Sequence, residues 1–76
     1  MADNKPLLAK KFASRLKERR KELGLTQAKL AEMIGSDLRV YRKIENCETV
    51  PNVILAYRVL NALELTLEEV LRENRR

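Results

Sequence analysis

GLTQAKLAEMIGSDLRVYRKIE, residues 24–45, decides the fold. It reads as two short helices pivoting on Gly35. Thr26 is placed to N-cap the first, since its hydroxyl can accept from a free amide in the first turn. Leu25 and Leu30 flank that cap as a hydrophobic staple, although Lys29 stands where a capping box would want Glu or Gln. Ala28, Ala31 and Ile34 continue the buried side. Asp37 is a suitable N-cap for the second helix, whose inner side is Tyr41 and Ile44.

The flanking sequence extends the same helical reading. Two glycines, two prolines and few clustered β-branched residues make the chain all-α. Helix 1 is expected from Leu7 or Leu8 to Leu23, with Phe12, Leu16 and Leu23 on one side and Gly24 as its left-handed terminator. Val50-Pro51 is an extended break, because the residue before proline avoids helical geometry. Asn52 can cap helix 4, which offers Leu55, Val59, Leu60 and Leu63 to a core. Helix 5 has the clearest start: Thr66 and Glu69 form a capping box, with Leu65 and Val70 as its staple. One domain is expected over 7–73, with a flexible tail at 1–6 and a short tail at 74–76.

Composition narrows the chemistry. Seventy-six residues sit near the lower end of what folds on one apolar core. With three aromatics, Phe12, Tyr41 and Tyr57, that core must be aliphatic. The single Cys47 allows no internal disulfide, and the lack of histidine removes the usual metal ligands. No cofactor or metal is expected. The absence of a histidine, a glycine-rich phosphate loop and a ligand cluster also argues against an enzyme. No stretch resembles a signal peptide or is long enough to span a bilayer, which points to a soluble protein of the reducing cytoplasm.

The net charge of +5 is unevenly spread: residues 1–23 carry eight Lys/Arg against three acids, 24–47 four against three, and 48–76 four against five. Such asymmetry fits a polyanion partner, or a helix 1 that merely needs solvating. Helix 3 is more pointed. At about 100° per residue, Arg39, Arg42 and Lys43 fall opposite Tyr41 and Ile44, with Leu38 at the edge. Long cations on a helix anchored by its inner side suit a DNA major groove. Arg39 can bond guanine O6 and N7 together. Lys43 can reach a second base or a phosphate, and Leu38 is limited to apolar contact such as a thymine methyl. The helix 2 N-terminus offers unpaired amides and the Gln27 side chain to a phosphate. The plain alternatives are that the three cations solvate a face and that Gln27 is an ordinary helix former.

Leu16 to Leu71 resembles the Cro/repressor-type helix-turn-helix family, also called xenobiotic-response-element-type (XRE) regulators. The resemblance lies in RLKERRKELGLTQAKLAEMIG, the RKIEN end of helix 3, Pro51 and ALELTLEEVL. It implies a compact five-helix lambda-repressor-like domain with the helix-turn-helix at helices 2 and 3. It further implies a phosphate contact at Gln27, base contacts at Leu38, Arg39 and Lys43, and an ion pair between Arg20 and Glu45. Three positions depart from the pattern. Cys47 stands where glycine is common, so helix 3 is expected to close differently. The 47–52 loop has Glu48 and no cation, leaving Thr49 and Asn52 as donors. Tyr41 replaces a small aliphatic residue, and its ring is expected to tilt helix 3 or put its hydroxyl at the surface.

The expected partner is double-stranded DNA, bound sequence-specifically by a transcriptional regulator, expected to be a repressor, occupying a palindromic operator. Relatives generally pair on two half-sites, so a homodimer would use Leu63, Leu65, Leu67 and Leu71 around helix 5; equally, these leucines simply close the core. The rival reading is a protein-interaction module, such as an antitoxin or anti-repressor that masks a toxin or effector. Cys47 reads as a small inert residue before it reads as a redox switch.

Overall fold

The computed structural model describes residues 5–71, as α1 (Lys5–Glu22), α2 (Gln27–Met33), α3 (Leu38–Glu45), α4 (Val53–Ala62) and α5 (Leu67–Leu71). The described residues contain no strand. Over the described residues the fold is all-α, with five helices. Helix α1 starts at Lys5, earlier than expected, with Pro6 in its first turn, where no intrahelical amide bond is lost. The rest of the expected tails, 1–4 and 74–76, lies outside the described residues.

Local capping accounts for most helix starts. Thr26 Oγ1 accepts from the Lys29 amide at 3.0 Å, and Asn52 Oδ1 from the Leu55 amide at 2.8 Å. The Thr66–Glu69 capping box is complete, with bonds of 2.9 and 3.1 Å. Asp37 is the exception: it occupies the N-cap of α3, but its side chain makes no capping bond.

Helices α1 to α4 all end in one motif. The amide two residues past the C-cap bonds back across the last turn: Leu25 to the Arg20 carbonyl, Ser36 to Ala31, Glu48 to Lys43 and Leu65 to Leu60, at 2.8–3.0 Å. The motif needs a left-handed residue between. Gly24 and Gly35 supply it for α1 and α2, at φ of 71° and 69°. Cys47 and Glu64 supply it for α3 and α4, at φ of 63° and 60°. Helix α3 therefore closes as a glycine would close it, contrary to expectation, with the strain of a left-handed non-glycine residue held by the two backbone bonds.

Arginines finish three of these ends. Arg19 Nε donates to the Leu63 carbonyl at 3.0 Å, Arg58 to Ile34 at 3.5 Å and Arg20 Nη1 to Leu25 at 2.7 Å. The first two put a cation where helix carbonyls gather negative charge, at the C-caps of α4 and α2, and the third ties down the turn between α1 and α2.

The core joins Leu16, Leu30, Ala31, Ile34, Tyr41, Ile44, Val59, Leu60, Leu63 and Val70. Phe12, Leu25, Leu55, Leu65 and Leu71 pack around it. Fully burying a leucine such as Leu16 or Leu30 contributes about 1.5–3 kcal/mol. Helix α1 spends little on the core, burying Ala13, Leu16 and Arg20 on one stripe. Two expected core residues lie outside: Ala28 is exposed, and Leu23 is exposed at the α1 C-cap. A helix of seven residues is too short for its apolar spacing to fix which face turns inward.

Candidate nucleic-acid interface

The site is built on a buried carboxylate. Arg20 Nε lies 2.6 Å from Glu45 Oε2, and Arg20 Nη2 lies 3.2 Å from Oε1. Gln27 Nε2 donates to Oε1 at 3.0 Å, and the Tyr41 hydroxyl donates to Oε2. Four donors from α1, α2 and α3 thus converge on one side chain that is itself buried. No buried side-chain polar atom among the described residues lacks a partner.

The electrostatics follow from that geometry. Burial pushes the Glu45 carboxyl upward, but the bonds from Arg20, Tyr41 and Gln27 outweigh it and hold the group below its ordinary value. Hydrogen bonding to Glu45 raises Arg20. Burial, then the bond to Glu45, pushes the Tyr41 phenol far upward. At neutral pH the cluster is an arginine–carboxylate pair completed by a neutral phenol and an amide.

The cluster corrects two expectations. The Tyr41 hydroxyl is not at the surface: the ring is fully buried, because Glu45 one turn along the same helix offers its oxygen an inward partner. Gln27 is half-buried, with its amide nitrogen turned towards Glu45 rather than wholly outward. Its second N–H is left for another acceptor.

The outer side of α3 is different in kind. Arg39, Arg42 and Lys43 are all exposed. Among the described residues none of the three side chains is in an ion pair or hydrogen bond. Tyr41 and Ile44, on the inner side, are fully buried and anchor the helix. Leu38 is half-buried and packs against the core, so its side chain is partly spent there. Val40, which sequence reasoning passed over, is 38% exposed and lies next to Arg39. Helical spacing places it at the edge of the outer side, between Lys43 and the buried Ile44.

The surroundings are mixed. Lys17 and Lys21 of α1 are exposed, but Arg19 is engaged with Leu63, Glu22 and Glu64, and Arg20 with Glu45. Part of the N-terminal basicity is therefore structural. In the 47–52 loop, Glu48, Thr49 and Asn52 are exposed, and the Asn52 carbonyl oxygen is committed to its cap.

The leucines in and before α5 mostly face inward. Leu63 is fully buried, while Leu65 and Leu71 pack against the core; Leu67 is exposed. Leu67 borders an apolar groove of about 450 Å³, whose other walls include Leu8, Phe12, Ile44, Val50 and Pro51. No group of side chains among the described residues is arranged to hold a metal ion, and no described helix is long and apolar enough to cross a membrane.

Comparison with known proteins converges on the same segment. A helix-turn-helix family model matches residues 16–70. The chain is 35% identical over 60 residues to the cryptic phage CTXphi transcriptional repressor RstR of Vibrio cholerae, covering 79% of this chain and 54% of the repressor. It therefore spans about half the length of that relative. It is 44% identical over 48 residues to an uncharacterized HTH-type transcriptional regulator of Methanothermobacter thermautotrophicus, covering 63% of this chain and 70% of that one. To the uncharacterized HTH-type transcriptional regulator YgzD of Bacillus subtilis it is 32% identical over 57 residues, covering 75% and 86%. No solved structure matches. The chain belongs to the Cro/repressor-type (XRE) helix-turn-helix family.

Proposed function

We propose that this chain binds double-stranded DNA sequence-specifically, laying α3 in the major groove, and regulates transcription as a repressor at a palindromic operator. One observation carries the reading: three exposed, unpartnered cations stand on a short helix whose opposite side is locked into the core. Arg39 reads a guanine by its paired donors, and Lys43 reaches a neighbouring base or phosphate. Arg42 adds positive potential beside the backbone. Gln27 donates its remaining N–H to a phosphate, fixing register without reading sequence. Leu38 and Val40, at the two edges of the outer side of α3, are left limited apolar contacts such as a thymine methyl. The repressor-named relative supports the regulatory direction.

A single domain of this size reads too few base pairs for useful specificity, so two copies on related half-sites complete the proposal. Leu67 and Val50, exposed at the borders of the apolar groove, are the proposed contact, in place of the leucines that the core has taken. Repeated selection of bound fragments from a random duplex pool tests the whole reading. It should enrich one sequence with two-fold symmetry, bound less tightly as salt rises. Recovery of no preferred sequence would overturn it.

A further inference from the structure

Glu45 has room for about four hydrogen bonds, and all four are taken. The Arg20 fork sets the plane of the carboxylate from α1. The fork alone does not decide which other donors the two oxygens face. Tyr41 does: its hydroxyl, on a fully buried ring, occupies the open side of Oε2. Oε1 is then the oxygen left for the Gln27 amide. Remove the phenol oxygen and a buried carboxylate has an unmatched lone pair, with the flexible Gln27 as a donor able to swing towards it.

We infer that Tyr41 is a positioning residue, which through Glu45 holds the Gln27 amide in the one orientation that leaves its second N–H for a DNA phosphate. The inference rests on the DNA-binding reading above and adds a residue that touches no DNA. Gln27 is the first residue of α2, Tyr41 lies in α3, and Glu45 is the shared acceptor that links them.

A double-mutant cycle on the full chain tests it, with the duplex enriched from a random pool as probe. Gln27→Ala should weaken binding about tenfold in the native background, the size of one hydrogen bond to a charged group. In a Tyr41→Phe background it should cost less than about threefold, because the amide is no longer aimed. Tyr41→Phe should weaken matched and base-substituted duplexes by the same factor, since a phosphate contact carries no sequence information. A loosened α3 would instead flatten base preference. Equal losses for Gln27→Ala in both backgrounds, or no loss in either, would overturn the inference. Arg39→Ala separates the two levels: if it weakens binding while the cycle is additive, the positioning role fails and the DNA reading stands; if it has no effect, both fail. Should Tyr41→Phe not fold, NMR of the native chain decides. One Gln27 Nε2 proton protected from exchange while its partner exchanges freely, beside a protected Tyr41 hydroxyl proton, supports the lock, and solvent-rate exchange of both Gln27 amide protons refutes it.

Discussion

Arg20 grips Glu45 through two nitrogens, at 2.6 and 3.2 Å, and so ties α1 to the last residue of α3. The pair sets the angle at which α3 leaves the core. Its buried setting makes it a requirement rather than a bonus, because each ion has given up its water. Arg20→Ala or Glu45→Ala should cost about 3–5 kcal/mol, a large share of the stability of so small a domain. Denaturant unfolding would show this. Replacing Arg20 and Glu45 together by apolar residues of similar volume should cost far less than either single change.

Stability should fall at both ends of the pH scale. Glu45 titrates below its ordinary value of 4.5 when folded, so the unfolded chain takes up this proton first on acidification. Its contribution is complete above about pH 4.5 and is lost as pH drops through the lowered folded value. Tyr41 is raised above its ordinary value of 10.0, so its contribution is complete below that pH and is lost as pH rises beyond it. Thermal melts between pH 3 and pH 11 should show a plateau between these limits, at about 4.5 and 10. In Tyr41→Phe the alkaline loss should shrink.

Two left-handed positions offer an opposite test. Cys47 and Glu64 hold φ near 60° without being glycine. Left-handed geometry costs an ordinary residue about 1–2 kcal/mol, and glycine gives back about 0.5–1 kcal/mol in chain entropy. Cys47→Gly should therefore raise the melting temperature by a few degrees. Glu64→Gly should gain less, because it also removes a 3.6 Å ion pair with Arg19. A fall in melting temperature for Cys47→Gly would show that the thiol contributes more than its backbone strain costs.

What could be read in advance divides by the range of the interaction. The caps at Thr26, Asn52 and Thr66 were legible because each bond spans three residues. The outward side of α3 was legible because helical spacing alone separates Arg39, Arg42 and Lys43 from Tyr41 and Ile44. The direction of the Gln27 amide was not, since its acceptor lies 18 residues away. Nor was the role of Arg19, whose carbonyl partner is 44 residues distant. Tyr41 shows the middle case. Its i to i+4 spacing from Glu45 is plain in the sequence, but only the packed core shows that the hydroxyl has nowhere else to go.

The exposed lysines of α1 should behave unlike the cations of α3. Lys17→Ala and Lys21→Ala should weaken binding to every duplex alike and each lower the salt dependence by about one unit of slope at most, as phosphate contacts do. Binding isotherms at several salt concentrations measure both quantities.

The most direct measurement is the affinity of Arg39→Ala for the enriched duplex and for versions changed one base pair at a time. If α3 reads the major groove, the substitution should cost about 1–3 kcal/mol and abolish discrimination at one guanine-containing pair while leaving the others intact. Unchanged affinity and unchanged base preference in Arg39→Ala would contradict the account.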